Sequence, residues 1–461
     1  MHKKNLLFLL VICILSPSVN AQERYKVEMV FGENDFGPMN TLLIAKYDEA
    51  NKLVQFSSPP DAYKRILGNG KSFLLKIFKK VPKNGAFLTI NDIESFHNMD
   101  GTDSLKGYIS MPMLGISPFK GIKTNDKISG SFYSKSYGVT VKLSGLKTSL
   151  DETFTYDNFP QHIFDTTQKY LFNTSYLETT KWKKFKKRTV KLASVAIDDI
   201  DWFFGFNMSS SKLPFSHYNL MFGNPTVKKV EEEYIEYKTY NNVFFKEISN
   251  KTALLEVKSF SGGKIEMDSI ISIVHSGNYQ NLIIDLRDNS GGGLSPAHVL
   301  GSYLIEDEIN IGYFITNKFS TGGEKITDFE SLPDSKEKNT YKLQAYLLNS
   351  RGCKLVIEPG EMKFNGNVFI LTNKKTASTC EPFVYGLKSN KIATTVGENT
   401  SGAMLSASNI HVIDNFYIFM AIADYYTPDK MRLDQIGVAP DIEVPSEEAL
   451  DYVLKMIGDT K

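Results

Sequence analysis

The sequence predicts an α/β core following an N-terminal all-β domain, with a helical segment between them. Three observations carry this. Leu282-Ile283-Ile284 is a short apolar run that breaks after Asp288 into Asn289-Ser290-Gly291-Gly292-Gly293, and a helical pattern starts at Pro296. Val368–Leu371 repeats the arrangement, with a turn over Thr372–Glu381 and a helix-like stretch Pro382–Leu387. Glu23–Ser149, by contrast, is a succession of short alternating or apolar runs punctuated by turn residues.

In chain order, His2-Lys3-Lys4, the apolar run Leu6–Leu15 and the small residues Val19 and Ala21 predict a secretory signal over residues 1–21, cut before Gln22. That run is short for a bilayer, and no later stretch is long enough to span one. Cys13 lies inside the run and not at the cut, which argues against a lipid anchor. The mature protein is therefore expected to be exported: periplasmic, extracellular or associated with the cell surface, with no integral membrane segment.

The 461 residues leave room for two or three domains, and 42% hydrophobic residues supply a substantial core. A net charge of +1, with one basic run at Lys183–Arg188 that reads as a solvated helix face, gives no support for nucleic acid as a partner.

Residues 22–149 read as the β domain, a sandwich or barrel, with strands suggested at Thr41–Ala45, Ser72–Phe78, Ala86–Ile90 and Val139–Leu143. It holds no cluster of acids, histidines or cysteines, so binding or spacing is its default role. Residues 150–232 form the helical segment, with helical spacing over Phe164–Leu177 and Lys181–Phe204 and a break at Pro214. Residues 233–461 form the core. Ala253–Val257, Ile265–His275 and Asn281–Ile284 read as strand, helix and strand, the order of a parallel sheet with crossovers. Later strands are expected at Val368–Leu371, Ala393–Val396, Ile410–Ile413 and Tyr417–Ala421.

Two cysteines outlast the signal, Cys353 and Cys380, and their pairing stays open. No HExxH or comparable metal-ligand spacing occurs, so neither metal nor cofactor is expected.

The chemistry sits at the two turns. Glycines let a backbone approach a ligand closely, and N–H groups there can hold developing negative charge. A serine at the second turn, Ser378, can project free of the sheet as a nucleophile, or cap the helix that follows. Four blocks then occur in order: Asp285-Leu286-Arg287-x-Asn289-x-Gly291-Gly292; Ala377-Ser378-Thr379-Cys380-Glu381; Gly397-Glu398-Asn399-Thr400-Ser401-Gly402; and Gly437-Val438-Ala439-Pro440-Asp441. Together they resemble the C-terminal processing (tail-specific) peptidases, over roughly residues 246–445.

The resemblance implies a ClpP/crotonase-like α/β core and a serine peptidase acting on a protein or peptide. It puts Ser378 at the nucleophile position, and the oxyanion hole at the Thr379 N–H with that of Gly291 or Gly292. Glu381 matches the acid of the serine turn, as a structural cap or as a catalytic group. The chain also departs from that family. Ala403 stands where the tail-specific branch has its lysine base, and Leu254–Val257 lacks the strand histidine of the tricorn-like branch. Cys380 replaces the second serine of the turn, and no PDZ module is evident between Phe222 and Ala253. The base is sought among the histidines: His217 first, because it lies at the entry to the core, then His411 and His298. An inactive peptidase fold that binds peptides or other ligands is the alternative. Glycan or surface binding by the β domain is a third reading.

Overall fold

The structure is a computed structural model that describes residues 22–32, 36–68, 84–112, 114–136, 138–215, 217–223, 241–261, 264–319 and 328–459. The expected signal at 1–21 and the strand expected at 72–78 lie outside the described residues. Among the described residues, no helix is long and apolar enough to cross a membrane.

The chain divides into two units, the first holding the β domain and the segment Val195–Trp202. Of the two forms open to the β domain, the barrel is found: among the described residues, eight strands run from Glu23–Phe31 to Val139–Thr148, the first closing on the last. Period-2 alternation drives it. Tyr25, Val27 and Met29 of the first strand and Val141 and Leu143 of the last are buried, with lysines and glutamates between them outside. Ala86–Leu88 precede their strand instead of belonging to it, since it runs Thr89–His97.

The second unit is built on two sheets. In the first, Thr252–Val257, Asn281–Asp285, Asn367–Thr372, Thr394–Gly397 and Ile442–Glu443 run parallel, with Val243–Glu247 antiparallel at one edge. Leu282, Ile283 and Ile284 are fully buried, which contributes roughly 2 kcal/mol each. Ile283 packs with Phe369, Leu371 and the helix Ala449–Met456, and alternation turns Leu282 and Ile284 to the opposite face. Leu282 pairs with Val368 and Asp285 with Leu371, so the two strands, far apart in sequence, end side by side. Both turns therefore leave the sheet at the carboxyl ends of neighbouring strands, where open α/β sheets carry their ligands.

The second sheet runs Asp334–Ser335, Gly352–Ile357, Ile309–Thr316, Phe416–Tyr426, Leu405–Ile413, with Tyr218–Phe222 paired to the long strand Phe416–Tyr426. The helices Phe159–Tyr170 and Thr180–Ala193 belong to this unit. The helical stretch expected over Lys181–Phe204 is two helices, because Ala193 ends the first and a second starts at Asp199. Trp182, Phe185 and Phe206 close around the Tyr218 ring, and the Tyr218 hydroxyl lies 2.7 Å from Thr167 Oγ1. That aromatic cluster anchors the residue next to His217.

Candidate active site

The serine turn is held by side-chain and backbone bonds before any substrate is present. Asn373 Oδ1 accepts from the N–H groups of Lys375 (3.0 Å) and Asp288 (3.1 Å), and Thr376 Oγ1 donates to Leu286 O (2.8 Å). Ala377 N–H donates to Asn289 O (3.0 Å), and Thr379 Oγ1 donates to Gly292 O (2.8 Å). These bonds join the serine turn to the glycine turn. Ser378 has φ 56°, the left-handed region that L residues avoid at a cost of about 1–2 kcal/mol. Its side chain is half-buried, and the helix Cys380–Ser389 starts two residues later.

Glu381 locks that conformation. Its carboxylate is fully buried and accepts from Ser378 N–H (3.1 Å), Ala403 N–H (2.9 Å), Gly402 N–H (2.7 Å) and the Thr400 hydroxyl (2.7 Å). Burial pushes this carboxyl up, and the four donors oppose the shift. Three of the donors are backbone N–H groups, which an ionised carboxylate satisfies and a protonated oxygen does not. Glu381 is therefore the structural staple between the serine turn and residues 400–403. Ala403 contributes a backbone N–H there in place of a basic side chain.

The glycine turn has its own constraints. Gly291 (φ 100°) stands so close that a Cβ would lie 2.7 Å from Ser378 Cβ, and one on Gly292 (φ 140°) would lie 2.3 Å from the Phe260 carbonyl carbon. The Gly291 N–H is donated to Asn289 Oδ1 (2.8 Å). That commitment removes it from the two oxyanion donors offered by the sequence and leaves Gly292. Among the described residues, neither the Gly292 nor the Thr379 N–H donates a hydrogen bond. The Asn289 side chain, which also donates to Val257 O (3.0 Å), was the part of this turn that a glycine pattern does not announce.

Ser378, Thr379 and Gly292 line a cavity of about 260 Å³, and His217 and His298 line it too. His217 is half-buried, its ring set edge-on to Phe419 at 5.3 Å, and its carbonyl accepts from Ala421 N–H (3.1 Å) on the second sheet. Burial lowers its pKa, so the ring is neutral near pH 7. His298, on the helix Leu294–Leu304, is only 4% exposed and is pushed down to about 4 by burial first and by Lys338 second. His411 does not line the cavity; it is exposed, with Nε2 2.9 Å from Asp414 O. The walls are mostly apolar, and part of them comes from strands that the sequence reading missed, through Ile311 and Phe314 of Ile309–Thr316 and Leu355 and Ile357 of Gly352–Ile357. The alternation Ile309-x-Ile311-x-Tyr313 was the available signal.

Cys353 and Cys380 are free and buried, which closes the question of their pairing. Burial raises both thiols, Cys353 to about 12, so neither is a thiolate nucleophile at neutral pH.

The chain is 24% identical to carboxyl-terminal-processing peptidase 2, chloroplastic, of Arabidopsis thaliana over 193 residues, 40% of this chain and 31% of that one. It is 34% identical to a carboxyl-terminal-processing protease of Synechocystis over 108 residues, 23% of this chain and 25% of that one. The chain thus spans about a third or less of the length of these curated relatives. Among solved structures, a photosystem II D1 C-terminal processing protease superimposes with TM-score 0.44 and 13% identity, over 66% of this chain and 98% of that one. A lipoprotein from Streptococcus agalactiae gives TM-score 0.44 and 15% identity, over 66% and 96%. The profile of peptidase family S41 matches residues 251–444. Over that segment, the chain is similar to peptidase family S41.

Proposed function

We propose that this chain is an exported serine peptidase that cleaves peptide bonds through an acyl-enzyme on Ser378. Ser378 Oγ attacks the scissile carbonyl carbon while its proton passes to a ring nitrogen of His217. The carbonyl oxygen, now negative, is held by the N–H groups of Thr379 and Gly292. The intermediate collapses, the C–N bond breaks, and the amine leaves with the proton from His217. Water then repeats the sequence on the ester and restores the serine.

The observation that carries this reading is Ser378 in a left-handed turn, on the wall of one cavity with a neutral imidazole and two N–H groups that have no acceptor among the described residues. His217 answers the substitution at Ala403, because it supplies a base from another sheet. The signal pattern at 1–21 supports export, and mass spectrometry of the mature N-terminus at Gln22 would verify it.

Peptide hydrolysis by the parent and its loss in Ser378→Ala test the activity, with a fall of at least about 10⁴-fold expected. A fluorophosphonate should label Ser378 and no other residue. An intact, unlabelled Ser378 under conditions that label a control serine peptidase would favour the alternative of a binding protein without turnover.

A further inference from the structure

The cavity beside Ser378 contains one group that the proposed chemistry does not use. His298 is nine-tenths buried and more, lines the cavity, and has no hydrogen-bond partner among the described residues. A neutral imidazole carries one donor and one acceptor, and both are open to a ligand in the cavity that His298 lines. Burial keeps the ring neutral, so it offers hydrogen bonds and not charge. Of the other polar groups on the wall, Thr340 Oγ1 already accepts from Leu294 N–H (2.9 Å), and Gln344 and Ser406 are half-buried.

The rest of the wall is apolar: Ile311, Phe314, Leu355, Ile357 and Phe383 surround the space. About 260 Å³ is less than a drug-sized ligand needs but more than the roughly 150 Å³ that holds a benzene ring. One aromatic side chain fits. Because Ser378, Thr379 and Gly292 line the same space, the residue whose carbonyl meets Ser378 puts its own side chain nearest to it.

We propose that this cavity selects tyrosine on the acyl side of the cleaved bond, with His298 receiving the phenol hydroxyl. The proposal rests on the peptidase reading for the placement of the scissile bond. A phenol suits both demands. Its ring fills apolar walls that would leave an amide or a charged side chain desolvated, and its hydroxyl both donates and accepts, so it pairs with either imidazole tautomer. His298 is thus a specificity residue and takes no part in proton transfer at Ser378.

The test uses two peptides that differ only in tyrosine or phenylalanine at that position. Their affinity for the full-length Ser378→Ala protein is measured by titration calorimetry, which needs no turnover. A purely apolar cavity favours phenylalanine, since a buried, unpaired hydroxyl costs affinity; a site with His298 as partner favours tyrosine, here by about tenfold. The added change His298→Leu should reverse the preference, and His298→Gln should restore part of it. Phenylalanine bound as tightly as tyrosine or tighter by the Ser378→Ala protein overturns the proposal, whether or not the His298 variants fold. Hydrolysis of both peptides by the parent is measured separately. If neither is cleaved while tyrosine still binds tighter, the peptidase reading fails and the selective cavity stands.

Discussion

The two turns that build the site solve one geometric problem in opposite ways. Both follow parallel strands that end side by side, and both need backbone in the left-handed region. The first puts glycine there. At Gly291 and Gly292 any Cβ would collide, with Ser378 in one case and with Phe260 in the other. The second keeps a side chain at φ 56°, because the hydroxyl of Ser378 is what the turn presents. Glycine thus stands where a Cβ would collide, while Asp288 (φ 63°) in the first turn and Ser378 in the second keep side chains in the left-handed region. The serine turn can tolerate that conformation because Glu381 fixes the turn from within the protein.

Removing that support gives the largest effect. Glu381→Ala leaves three N–H groups and one hydroxyl buried without an acceptor, at about 1 kcal/mol or more each, so a loss of at least about 4 kcal/mol is expected in chemical denaturation. The corresponding support of the glycine turn is smaller. Arg287 grips both oxygens of Asp285 (2.9 and 2.6 Å) and donates to Ser446 O (2.6 Å). Arg287→Ala leaves Asp285 mostly buried without its cation, for an expected loss of about 2–3 kcal/mol. Equal losses in the two variants would mean that the serine turn carries no special strain.

A finer comparison exchanges the residue types. Ser378→Gly and Ser378→Ala both abolish the nucleophile, but only glycine relaxes the left-handed conformation. Ser378→Gly should therefore be more stable than Ser378→Ala by about 0.5–1 kcal/mol, read from paired melting curves. Gly291→Ala should go the other way, by more than about 1 kcal/mol, since strain and contact with Ser378 add.

Much of this was legible in the sequence. The buried strands Asn281–Asp285 and Asn367–Thr372 announce themselves by short apolar runs ending in turn residues, and the four ordered blocks all fall within the segment that matches the peptidase family S41 profile. What escaped was set by contacts far apart in sequence. Nothing local to Asn289 says that its amide takes the Gly291 N–H, and nothing local to Glu381 says that its acceptors meet residues 400–403. The strands Ile309–Thr316 and Gly352–Ile357 are as apolar as those recognised but lack a chemical motif beside them, so the cavity walls went unread. Tyr218–Phe222 was hidden for a different reason. It is a short strand just beyond a helical stretch, and it exists because Phe416–Tyr426 offers an edge to pair with.

His217 belongs to neither turn, and its titration separates a base that the fold has prepared from a histidine that merely lies nearby. The ring sits in the second unit against Phe419, and burial holds its pKa below the ordinary imidazole value. In the proposed mechanism the neutral ring is the form that accepts the serine proton. The acid limb of kcat/KM should therefore have its midpoint below about pH 6.5, and activity should persist in mildly acidic buffer. The stability contribution has the matching sign. A folded-state pKa below the unfolded one leaves the native state at full stability above the unfolded value and weakens it as pH falls through the folded value. Phe419→Ala uncovers one side of the ring, and its acid limb should move up toward about 6.5 while Ser378 keeps its labelling by fluorophosphonate at pH 8. An acid limb that stays in place in Phe419→Ala, or that survives unchanged in His217→Ala, would assign the titrating base to another group.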